Sequence, residues 1–211
     1  MESGKSVSKP AIGFLTVIDH PQHGLFGGYL VLNLAGRPLE FHCTAPIKPN
    51  RAQQILYGPT LESFLYGEQI GFTLLGHAKT SPLVVCTDHE PVLSLRELID
   101  LPVALVLPPG ESQEFDARGS DAQPKVTLPD DACQAGKPDA PGVLRVDAPH
   151  GRGPRLITFE VGRNRLALSQ QKSDDRKRFS DRLGEAATSL DLWEPFTRIR
   201  EAIEEAQQAA R

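Results

Sequence analysis

Ile12-Gly-Phe-Leu-Thr-Val-Ile-Asp-His20 and Leu83-Val-Val-Cys-Thr-Asp-His89 are the two segments on which the reading of the fold turns. Both are apolar runs rich in β-formers, and both stop at the same Asp-His dipeptide. In the first, Phe14 to Ile18 reads as a strand ended by Asp19-His-Pro-Gln-His-Gly24. In the second, Leu83 to Thr87 shows no polar alternation, as expected of a strand covered on both faces of a sheet.

Between these segments, Gly27-Gly28 opens a strand over Tyr29 to Asn33, Leu34-Ala-Gly-Arg-Pro38 turns the chain, and Leu39 to Thr44 returns with apolar and polar residues alternating. Three antiparallel strands are expected. Ala45-Pro-Ile-Lys-Pro49 ends the sheet, and Asn50 is placed to cap a short helix through Tyr57. Gly58-Pro59 interrupts it, and Thr60 starts a longer helix to about Ala78. On that helix Leu61, Phe64, Leu65, Phe72 and Leu75 share one stripe at helical spacing, and Glu68 falls among them. A carboxylate on a core-facing stripe is costly unless it is paired or binds a cation, although at the stripe's edge it reaches water. Gly67 and Gly71 beside it offer bare backbone to a close neighbour. Beyond Asp88, Glu90-Pro91 begins a helix through about Asp100, and Val103 to Leu107 is a second buried strand. Strand, helix and strand at this spacing form a right-handed parallel crossover.

Residues 11–107 therefore make an α/β core with the order β-β-β-α-β-α-β. Residues 1–10 are polar and read as a flexible tail with no signal-peptide segment. Residues 108–142, rich in Pro, Gly, Asp, Ser and Gln, read as a disordered linker. Residues 143–211 read as a C-terminal unit packed on the core: a strand over Val143 to Asp147, a hairpin turning at Gly162-Arg-Asn164, and two helices. The last helix, capped by Ser189 or Asp191, carries Leu192, Phe196, Ile199 and Ile203 in line, a stripe that suits the sheet or a protein partner.

Composition narrows the function classes. The 211 residues are 39% hydrophobic and 24% charged, the profile of a globular chain able to bury a core. No apolar run approaches the ~20 residues needed to cross a bilayer, so no membrane role is expected. Cys43, Cys86 and Cys133 are odd in number and scattered, which favours a cytoplasmic location over a disulfide framework. The net charge of −4 opposes broad nucleic-acid affinity, but it is unevenly spread. Residues 143–182 hold ten Lys or Arg against five Asp or Glu, a net +5 that leaves −9 elsewhere. That segment is the expected nucleic-acid contact, or otherwise a solvated face.

Three antiparallel strands, a helix, and two strands joined by a helix resemble the ribonuclease H-like superfamily. The residues that carry the likeness are Asp19 at the end of the first strand, Gly27-Gly28-Tyr29 opening the second, Gly36-Arg37 in the hairpin, and Asp88 after Leu-Val-Val-Cys-Thr. Ile18-Asp19-His20 with Gly36-Arg37-Pro38-Leu39 is also similar to the nuclease domain of excinuclease C subunits. The resemblance covers about residues 12–107. It implies that the first and fourth strands are parallel neighbours, with Asp19 and Asp88 side by side at their C-terminal ends. It further implies a carboxylate cluster holding Mg²⁺ or Mn²⁺ for phosphodiester hydrolysis. Glu68 is the candidate third ligand, and Asp174, Asp175 or Asp181 the source of a fourth. The sequence departs from the family at Gln53-Gln54, where an acidic residue often stands, and a neutral amide is a poorer ligand. The competing expectation is accordingly a non-catalytic scaffold or regulatory protein that keeps the fold without the full cluster.

His20 and His89 stand next to the two aspartates, and with His23, His42 and Cys43 they could supply a Zn²⁺ or Mn²⁺ centre of a small-molecule hydrolase. Paired CxxC motifs are absent, and a histidine at a strand end is more often a hydrogen-bonded structural residue. Cys86, inside an apolar strand, reads as a small buried side chain, and His150-Gly-Arg-Gly as a turn.

Overall fold

The computed structural model describes residues 10–110, 155–184 and 186–209. The chain divides into two units, residues 1–110 with 153–211, and residues 111–152; all the described residues fall in the first. The linker expected over 108–142 and the strand expected over Val143 to Asp147 lie almost wholly outside them.

The described residues form a seven-stranded mixed sheet in the order β3-β2-β1-β4-β5-β7-β6. β1 (Ala11–His20), β2 (Gly24–Asn33) and β3 (Pro38–Cys43) are an antiparallel meander. The first two strands are longer than the apolar runs suggest. The turn at residues 21–23 is so tight that Asp19 and His20 remain in the ladder, opposite Leu25 and Gly24. β4 (Val84–Thr87) runs parallel to β1, and β5 (Val103–Val106) parallel to β4. The hairpin of β6 (Leu156–Val161) and β7 (Asn164–Ser169) joins the sheet itself, because β7 pairs antiparallel with β5. The hairpin of the C-terminal segment thus extends the core sheet sideways, while the helices that follow it pack on one face.

Side chains alternate between two apolar layers, as a pleated strand requires. Ile12 and Phe14 of β1 join Val84 and Cys86 of β4 on one face; Ala11, Leu15 and Val17 join Val85 on the other. Two helices cover the first face, α4 (Asp175–Leu183) and α6 (Glu194–Ala209), the latter reached through α5 (Ala186–Ser189). Asp191 begins α6 by accepting from the backbone N–H groups of Trp193 and Glu194. Leu192, Phe196, Ile199 and Ile203 are 0–2% exposed against the sheet. The stripe is therefore buried in the core.

The second face is covered by one helical segment of changing pitch. After α1 (Arg51–Tyr57) come a 3₁₀ turn at Gly58–Thr60, α2 (Leu61–Ser63), a π-helix at Phe64–Phe72 and α3 (Thr73–His77). A 3₁₀ helix at Glu90–Glu97 completes the layer, where the sequence suggests an α-helix. The π-helix keeps only part of the expected stripe, with Leu65 buried and Leu61, Phe64 and Leu75 packed against the core. Its i→i+5 bonds widen the turn, so positions that align at α-helical spacing no longer all do. The buried residues are Leu65, Gly67, Ile70 and Gly71, whereas Glu68 is exposed and Phe72 is 51% exposed.

Gly27 and Gly28 let both layers approach β2. A Cβ on Gly27 would lie 2.1 Å from Ile70 Cγ2 of the π-helix, and one on Gly28 would lie 2.3 Å from Ile199 Cγ2 of α6. These distances are impossible for real side chains, so the strand is bare where helices press on it from both sides.

Candidate functional site

Parallel strands end together, and the loops that leave them are where polar groups collect on such sheets. β1 and β4 pair from Ile12 with Val84 to Leu15 with Thr87. Thr16 and Asp88 are the next residue of each segment beyond that pairing. Both have the parity of Phe14 and Cys86, and so face α6. Asp88 reaches Arg200 of that helix: its Oδ2 accepts a hydrogen bond from Arg200 Nη2. The Asp88 side chain is 1% exposed and Arg200 36% exposed. Asp88 Oδ1 is buried without a hydrogen bond among the described residues, with His89 Nε2 3.7 Å away. Thr87 Oγ1 accepts from the His89 backbone N–H at 3.2 Å, fixing the start of the loop. Thr16 is fully buried, and its hydroxyl likewise finds no partner among the described residues.

Asp19 does not join this group. It stands three residues past Thr16 along the same strand, roughly 10 Å at the usual rise. Its parity is odd, so it points to the π-helix side with Leu15 and Val17. There the Tyr66 hydroxyl is shifted upward, first by burial and then by the negative charges of Glu62 and Asp19. The Tyr66 ring also meets the His89 ring edge-on, with centroids 5.7 Å apart. The strands are parallel neighbours as expected; along β1 Asp19 has the parity of Leu15 and Val17, whereas Asp88 bonds Arg200 of α6.

The other candidates are dispersed. Glu68 is exposed on the outer side of the π-helix. His20 works inside its turn, its Nδ1 accepting from the backbone N–H groups of Gln22 and His23, and its ring packs on that of His23 at 4.6 Å. His42 Nε2 lies 3.1 Å from Glu40 Oε2. Asp175 is 2% exposed and is held by Arg96 at 2.6 Å and Arg178 at 3.1 Å. Arg178 also bonds Asp100, just before β5, and Arg182 donates to the Leu83 carbonyl just before β4. Those contacts belong to the opposite end of the strands from Asp88, and they engage part of the basic segment within the fold. Gln53 has a structural task as well: with Asn50 it forms the reciprocal cap that starts α1.

Cys86 is fully buried, and burial raises its thiol to about 12, so it cannot serve as a nucleophile. Among the described residues, no three His, Cys, Asp or Glu side chains are grouped to hold a metal ion. The residues present do not fit the Mg²⁺ or Mn²⁺ cluster that the resemblance implies: Asp88 already has a guanidinium, Asp19 faces away and Glu68 stands apart. Arg200 is the residue that the sequence conceals, since 112 positions separate it from Asp88. Thr16 left a fainter signal, as the lone hydroxyl in an apolar run. Among the described residues, no helix is long and apolar enough to cross a membrane. No protein-family model matches the chain, and no curated protein matches it in sequence.

Proposed function

We propose that this protein is a non-catalytic scaffold or regulatory protein, built on a sheet of ribonuclease H-like order whose strand-end carboxylates serve the fold. The observation that carries this reading is the pairing of Asp88 with Arg200. A carboxylate that must bind a hard cation is kept open to it; here it is enclosed and neutralised by a side chain that no divalent ion displaces cheaply. The strand order β3-β2-β1-β4-β5, with β1 and β4 parallel, supports descent from such a fold.

A scaffold needs a face for its partner, and α1 supplies one. None of its residues is buried, and Ile55 and Leu56 are 67% and 81% exposed. Beside them Tyr57 stacks on Phe64, with ring centroids 4.2 Å apart, a rigid aromatic shoulder next to the aliphatic pair.

Calorimetry with Mg²⁺ and Mn²⁺ on the wild type and Asp88→Asn tests the reading, together with incubation on DNA, RNA and hybrid substrates. No ion binding that depends on Asp88, and no cleavage, is the expected result. Ion binding abolished by Asp88→Asn, accompanied by metal-dependent cleavage, would restore the nuclease reading and end this one.

A further inference from the structure

His42 of β3 and His77 at the end of α3 both line a cleft of about 440 Å³ on the π-helix side of the sheet. The His42 side chain is 29% exposed and His77 is exposed, so solvent reaches both residues. The chain brings them to one level. Leu74 Cδ1 and Thr44 Cγ2 meet above Gly27, at 3.0 and 3.4 Å from a Cβ built there. Five residues after Leu74, the Lys79 backbone N–H donates to Glu40 at 2.8 Å. Residues 74–79 therefore run beside residues 44–40 in the opposite direction, which sets His77 alongside His42. Cys43 also lines the cleft, but alternation along β3 sends its thiol to the other face from His42.

Each ring has one nitrogen committed. His42 Nε2 lies 3.1 Å from Glu40 Oε2, and a carboxylate only accepts, so this nitrogen carries the proton. Glu40 is itself fixed by the Thr80 hydroxyl and the Lys79 N–H. His77 Nδ1 donates in the same way to the Thr73 carbonyl at 2.8 Å. That leaves His42 Nδ1 and His77 Nε2, each with a lone pair when its ring is neutral. An imidazole whose other N–H is held by a carboxylate or a backbone carbonyl is the usual form of a metal ligand, because the bond fixes the tautomer and the ring orientation. No Asp, Glu, Lys or Arg lines the cleft. Lys79 lines a different one, with Phe72 and Leu75, and Lys48 donates to the Gln22 carbonyl. No ammonium on the cleft wall opposes a cation, and the Glu40 carboxylate behind His42 favours one. Without lining carboxylates the cleft does not suit a hard ion such as Mg²⁺, whereas imidazole suits Zn²⁺.

We propose that His42 Nδ1 and His77 Nε2 together bind a divalent transition ion of the Zn²⁺ class, with water in its remaining positions. Two protein ligands suffice for such an open site, so it does not depend on a third acid, thiol or imidazole. The inference is independent of the scaffold reading, since it uses none of the residues around Asp88.

The test uses the full chain with ¹⁵N-labelled histidine, titrated separately with Zn²⁺ and Mg²⁺. Long-range ¹H–¹⁵N spectra report each ring nitrogen by itself. Zn²⁺ should move His42 Nδ1 and His77 Nε2 more than the two nitrogens already bonded, and Mg²⁺ should move none of them. His42→Ala and His77→Ala should each weaken Zn²⁺ binding roughly tenfold or more, and Glu40→Gln, which removes the support of His42, roughly 10- to 100-fold. The His77 variant alters an exposed side chain and should fold as the wild type does. No Zn²⁺ binding up to millimolar concentration would overturn the proposal. So would binding that survives both alanine variants, as it would if His20 and His23 held the ion. Equal affinity for Mg²⁺ and Zn²⁺ would overturn the ion class. None of these outcomes depends on Asp88 or on cleavage, so failure here is distinguishable from failure of the scaffold reading.

Discussion

Arg200→Met should be the most informative single substitution in this protein. It keeps much of the side chain's apolar length and removes the guanidinium, leaving Asp88 enclosed at 1% exposure without its cation. Stranding one partner of a buried ion pair costs about 3–5 kcal/mol. Arg200 is 36% exposed, so water can enter where the guanidinium was, and the expected loss is nearer about 2–3 kcal/mol. For a chain of this size that corresponds to a fall of roughly 4–12 °C in Tm. The decisive comparison is the double variant with Asp88→Asn, which has no charge left to strand. It should recover at least half of the loss, a coupling above about 1 kcal/mol. Urea unfolding followed by circular dichroism at pH 7, with the denaturant slope unchanged, reads each corner of the cycle. A loss below about 0.5 kcal/mol for Arg200→Met, or additivity within about 0.5 kcal/mol, would show that Asp88 is not held by Arg200.

Other consequences can be measured on the same footing. Gly28→Val places a branched side chain against Ile199 and Ile203 of α6 and should cost at least about 1–3 kcal/mol in urea unfolding; stability equal to wild type would mean that α6 is not seated on β2. Glu40 has a folded pKa lowered to about 2 from a usual 4.5, so its contribution is present above pH 4.5 and is lost as pH falls towards 2. Thr80→Val removes the main cause and should reduce the steepness of acid unfolding in that window; an unaltered acid limb would contradict the assignment. Ile55→Ser with Leu56→Ser should change stability by less than about 0.5 kcal/mol, because both side chains are already in water. A larger loss, read by thermal melting, would show that α1 is packed in solution and is not a free face.

Much of the sheet can be read from the sequence because its signals are local. Apolar runs mark β1, β4 and β5, and Asn50 and Asp191 stand where helices need side-chain acceptors. The stripe from Leu192 to Ile203 announces a buried face. What the sequence hides depends on single-residue register or on distance along the chain. Asp19 looks like a strand end until the turn at residues 21–23 proves tight enough to keep it in the ladder, and its parity then decides which face it serves. Glu68 misleads because hydrophobic spacing assumes a 3.6-residue turn, and the π-helix does not keep it. The pairing of Asp88 with Arg200 has no local signal at all.

The parity of β1 also measures how far this chain stands from a different chemistry. A strand exchanges its two faces with every one-residue step. Removing a single residue between Thr16 and Asp19 would carry the second carboxylate onto the face of Asp88 and bring it one position closer to it. Loss of the guanidinium at position 200 would then leave two acids on one face, two strand positions apart, roughly 7 Å at the usual rise. For an engineer, one deletion and one substitution would thus place both acids on one face without a cation between them. For the protein as it is, a one-residue offset and one arginine are what keep those acids apart and one of them neutralised.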